Sequence, residues 1–61
     1  MRQYLFSFET DHPKHLEWKE TIPAGGMMEA FLKAKQLVKQ YAKEKGGLIR
    51  VEYVGVRYLN N

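Results

Sequence analysis

His12 and His15 bracket Pro13, with Asp11 and Glu17 just outside them, so imidazole and carboxylate groups suited to a surface transition metal lie close together in the chain. A polar turn contains the same residue types, and the proline restricts the backbone between the two imidazoles. The expectation here is a turn, with no metal and no cofactor. Nucleophilic catalysis fares no better. The chain has no cysteine, and its only serine, Ser7, stands in an alternating run with no base next to it. The glycine pairs Gly25-Gly26 and Gly46-Gly47 match the spacing of neither a P-loop nor a dinucleotide fingerprint. On these grounds the protein is expected not to be an enzyme.

The charge pattern points elsewhere. Between Met27 and Lys45 the chain carries five of its ten basic residues against two acids, which accounts for the net charge of +3, because the basic and acidic residues outside this segment cancel. Lys35, Lys39 and Lys43 repeat every fourth residue and so form one stripe on a helix, with Met28 and Leu32 beside them. Lysines on a solvated face need no partner to explain them. The apolar side chains among them are what suggest one. Met28, Leu32, Lys35, Lys39 and Lys43 are therefore the expected contact residues for a macromolecular partner, with the lysines steering an acidic surface. A protein is favoured over nucleic acid: the helix has no arginine, three lysines would hold phosphate weakly and salt-sensitively, and no row of aromatics is available to stack bases.

The elements that position these residues are legible from periodicity. Tyr4, Phe6 and Phe8 alternate with Gln3, Leu5, Ser7 and Glu9, the signature of a half-buried strand over about residues 2–9. After the turn at 10–14, Leu16, Trp18 and Ile22 alternate with Glu17, Lys19 and Thr21 in a second strand over 15–22, with Glu20 on the apolar side near its end. Met27, Ala30, Phe31, Ala34, Leu37, Val38 and Tyr41 fall in one arc of a helix over 27–45, stopped by Gly46-Gly47. Residues 48–58 are rich in β-branched and aromatic types and read as a third strand.

The resulting class is α+β, one small domain of order β-β-α-β. A right-handed crossover places the first strand centrally, giving a three-stranded antiparallel sheet of order 2-1-3 with the helix on one face. Sixty-one residues without disulfides stand near the lower limit for independent folding, yet eight aromatics within a 44% hydrophobic composition supply a core. The missing cysteines fit a reducing compartment, with the cytoplasm as the default. The run from Met1 to Phe8 lacks the apolar stretch and cleavage site of a signal peptide, and no segment is long and apolar enough to span a membrane.

Gly55 leaves two arrangements open. With strict alternation through it, Val54, Val56 and Tyr58 join Leu5 on the open face of the sheet, an apolar patch suited to a weak homodimer. With a bulge at Gly55, Val56 and Tyr58 return to the helix side and the patch shrinks.

Overall fold

The structure, a computed structural model, describes residues 2–58. Strands β1 (Arg2–Thr10) and β2 (Leu16–Ala24) are followed by helix α1 (Met27–Lys45) and strand β3 (Arg50–Tyr58). β1 pairs antiparallel with both other strands, so the sheet order is β2-β1-β3, and the helix covers one face. The fold is the α+β arrangement that the periodicity implies.

β1 forms the floor of the core because every second side chain along it is apolar and both its edges are paired. Tyr4, Phe6 and Phe8 are buried with Ile22, Ala24 and Ile49 under Ala30 and Ala34 of the helix. The ring of Phe6 meets Phe31 and Tyr53 edge-on at 5.6 and 5.7 Å. Phe8 stacks on Trp18 at 5.6 Å and takes Tyr41 edge-on at 5.7 Å. Offset and edge-to-face contacts of this kind favour the aromatic quadrupoles beyond the simple burial of area.

Helix α1 begins after Gly26, whose carbonyl accepts the Ala30 N–H at 3.1 Å, and no side chain caps this end. Gly46 closes the other end with φ of 71°, a left-handed conformation that costs glycine no Cβ clash, and its N–H donates to the Ala42 carbonyl at 2.9 Å. Lys43 and Lys45 lie in the last turn, where the helix dipole favours positive charge.

Two findings revise the core expected from the helical arc. Ala30 and Ala34 are the only fully buried helix residues, so the helix approaches the sheet through methyl groups, and it packs principally against β2. Phe31 consequently remains 43% exposed, and Met27 is also exposed, although both belong to the apolar arc. At the far end of β1, Thr10 is part of the strand and wholly buried rather than part of the turn. Its hydroxyl donates to the Leu48 carbonyl at 3.0 Å and accepts the His12 N–H at 3.3 Å, which satisfies the group without water.

The register settles Gly55 in favour of the bulge. Leu5 lies opposite Gly55 and Phe6 opposite Tyr53, so Val54 is the extra residue. Val56 then faces Tyr4, and Tyr58 faces Arg2, which places both on the helix side. Leu5, Val54, Val56 and Tyr58 thus do not share the open face, and the patch drawn from strict alternation is corrected: Val56 and Tyr58 leave it. Among the described residues, no helix is long and apolar enough to cross a membrane.

Candidate functional site

The off-centre seat of the helix creates the most distinctive surface of the molecule. Met28 is 79% and Leu32 57% exposed, and together with Met27, Phe31 and Lys35 they line one shallow apolar depression along the first half of α1. Met28, Leu32 and Lys35, named from spacing alone, are brought together there. Lys39 and Lys43 lie outside the depression and continue its basic border along the helix. Met27 and Phe31 were missed as surface residues because a helical arc alone does not say where the sheet beneath it ends.

The five helix lysines divide into two groups. Lys33 is held, pairing with Glu29 at 3.0 Å and donating to the Pro23 carbonyl at 2.8 Å. The hydrogen bond from Lys33 to Glu29, followed by one from the Gly25 backbone, holds the Glu29 carboxyl below its ordinary range. Lys45 places its ammonium 5.3 Å from the centre of the Trp18 ring, a cation–π contact. Lys35, Lys39 and Lys43 make no ion pair or hydrogen bond among the described residues and carry the accessible charge.

A second cluster ties the C-terminal half of the helix to β2. The Trp18 Nε1–H donates to Glu20 Oε2 at 2.9 Å, and the Tyr41 hydroxyl donates to the same oxygen. Glu20 is the charged residue on an apolar strand face, and these two donors explain its tolerance there. The bond to Glu20, then partial burial and the Glu20 charge, push the Tyr41 hydroxyl from an ordinary 10.0 up to about 12. A raised folded-state value means that the contribution is complete below about pH 10 and is lost as pH rises through about 12. Alkaline titration of stability should therefore fall more steeply across that window in the native protein than in Tyr41→Phe. Parallel slopes in the two proteins would show that the hydroxyl does not hold the helix to β2.

The histidines part company. His12 turns towards Gly47, while His15 joins an exposed group with Glu9, Asp11, Glu17 and Arg50. Donor atoms of Glu9, His15 and Glu17 lie within 4.8 Å of one another, close enough to offer three metal ligands. Two of the three also have protein partners: Arg50 reaches Glu9, and Asp11 as well, each at 3.0 Å, and His15 Nδ1 meets Asp11 at 2.9 Å. The Asp11 hydrogen bond raises the His15 value above the usual imidazole range, and the Asp11 carboxyl is lowered in return by His15 and then Arg50. The cluster works as an electrostatic clasp joining the ends of β1 and β3. Ser7 lies on the same polar face, opposite Lys19 and Glu52 in the paired strands.

Compared with known proteins, the chain matches no family model, no curated sequence and no solved structure.

Proposed function

We propose that this protein is a small non-enzymatic binding module, a regulator, inhibitor or accessory factor that occupies a surface of a larger protein through the outer flank of α1. The observation that carries the reading is the depression lined by Met27, Met28, Phe31, Leu32 and Lys35, continued by the exposed Lys39 and Lys43. Apolar side chains supply the anchor on desolvation, and the lysines speed encounter with an acidic surface. The absence of cysteine supports a cytoplasmic setting.

Reversing charge with Lys35→Glu and Lys39→Glu should abolish capture of the partner recovered from the native host. Folding should be unaffected, since exposed substitutions typically change stability within about 0.5 kcal/mol. Leu32→Ala distinguishes the kinds of partner. Truncating an apolar anchor costs a protein interface more than about 1 kcal/mol. A phosphate backbone would ignore the leucine, weaken steeply with salt and vanish from the pull-down on nuclease treatment. Binding unchanged by all three substitutions would show that the flank is only a solvated face.

A further inference from the structure

The two edges of the sheet are built differently. β2 is guarded: Pro23 lacks a backbone donor, the Pro23 carbonyl is taken by Lys33 Nζ at 2.8 Å, and Lys19 projects from the strand. The outer edge of β3 has no proline or lysine and, among the described residues, no covering element or paired strand along its nine residues. Val51, Val56 and Tyr58, on the helix side of that strand, are exposed because the helix is seated over β2. Phe31, whose ring centre lies 6.1 Å from that of Tyr53, extends this apolar strip onto the helix.

A bulge ordinarily protects an edge by breaking its alternation. Here it makes the pattern symmetric. Val51 and Tyr53 face the helix before it, Val56 and Tyr58 after it, while Glu52 and Arg57 stand at matching positions on the other face, opposite Ser7 and Gln3 of β1. Read in either direction from the boundary between Val54 and Gly55, the strand presents the same sequence of faces.

We propose that β3 pairs antiparallel with β3 of a second copy of this chain about a two-fold axis between Val54 and Gly55, forming a continuous six-stranded sheet. This register sets Val51 against the partner's Tyr58 and Tyr53 against the partner's Val56, all on the helix side. It also sets Glu52 against the partner's Arg57, twice by symmetry. Opposite charges on directly facing positions stabilise such a pairing and like charges oppose it. Shifting the register by one residue in either direction puts helix-side residues against open-face residues and loses both matches. The second copy follows from this self-complementarity, since an unrelated strand would have no reason to meet Glu52 and Arg57 with the opposite charge at both sites.

Sedimentation of the purified protein across a concentration series, up to millimolar, tests the pairing without any other partner. The expected result is a reversible species of twice the 7.2 kDa monomer mass. Arg57→Glu and Glu52→Arg, each made singly, should weaken association by about tenfold, because two facing pairs turn repulsive in each variant. An equimolar mixture of the two variants should restore it, since every facing pair is again of opposite sign. The double substitution, Glu52→Arg with Arg57→Glu, should restore it within one chain. Far-UV circular dichroism confirms folding of each variant, and both positions are exposed and face neutral residues of β1. A monomer at every concentration would overturn the proposal. So would a dimer indifferent to the single substitutions, or a mixture no stronger than its components.

Discussion

Phe6→Ala should cost this protein a large share of its stability and bring it close to unfolding at room temperature in water. Phe6 is 0% exposed at the centre of the central strand, with Phe31 and Tyr53 both edge-on to its ring. Removing a buried phenyl group costs about 3–5 kcal/mol, the transfer free energy plus the cavity left behind. A chain of 61 residues has in total only about 3–9 kcal/mol, at roughly 0.05–0.15 kcal/mol per residue. The loss therefore takes from about a third to all of the stability. Urea titration of the native protein beside Phe6→Leu and Phe6→Ala measures it, with Leu48→Ala as a control because Leu48 is 86% exposed. A Phe6→Ala midpoint as close to native as that of the control would place the core elsewhere.

Gly47→Ala should cost about 1–3 kcal/mol, the range for forcing atoms into a packed site. A Cβ at Gly47 would stand 2.8 Å from His12 Cβ and 3.3 Å from His12 Cγ. The nearest atom belongs to the root of the side chain and cannot swing away by changing rotamer. Gly55→Ala meets nothing within 4 Å and provides the comparison. His12→Gly in the Gly47→Ala background should recover the lost stability, because it deletes the obstructing atoms. Equal midpoints for the Gly47 and Gly55 variants would mean that the two loops can move apart without penalty.

The parts of this fold legible in the sequence were those governed by local period. Alternation along Tyr4, Phe6 and Phe8, the arc through Ala30, Ala34 and Tyr41, and the glycines after Lys45 each act within a few residues, and together they force the element order and sheet topology. The seat of the helix was not legible. It depends on Ala30 and Ala34 admitting a close approach over β2, which turns Phe31 from a core residue into a half-exposed one. Nor could alternation decide Gly55, since Val54 and Val56 are equally apolar and either could face the helix. Pairing with β1 decided it. For the candidate site, Met28, Leu32 and Lys35 were accessible to spacing arguments because a helix fixes which residues share a flank. The widening of that flank by Met27 and Phe31 required knowing where the sheet lay. Thr10 misled for a related reason: threonine before Asp and His reads as turn chemistry until a carbonyl 38 residues away supplies its partner.

The first strand to leave the chain's N-terminal end is also the middle strand of the sheet. Its β2 side can close at once through a short hairpin, but its β3 side must wait until the helix has been crossed and the loop from Thr10 to Leu48 has been drawn shut. Closing a long loop costs entropy before any contact repays it. The two sides of β1 therefore differ in what closing them costs, a short hairpin on one and a long loop across the helix on the other. Without β3, Tyr4, Phe6 and Phe8 would each lack a neighbouring strand on one side. The strand that closes the costlier side of β1 is the same one whose outer edge carries the proposed pairing with a second copy.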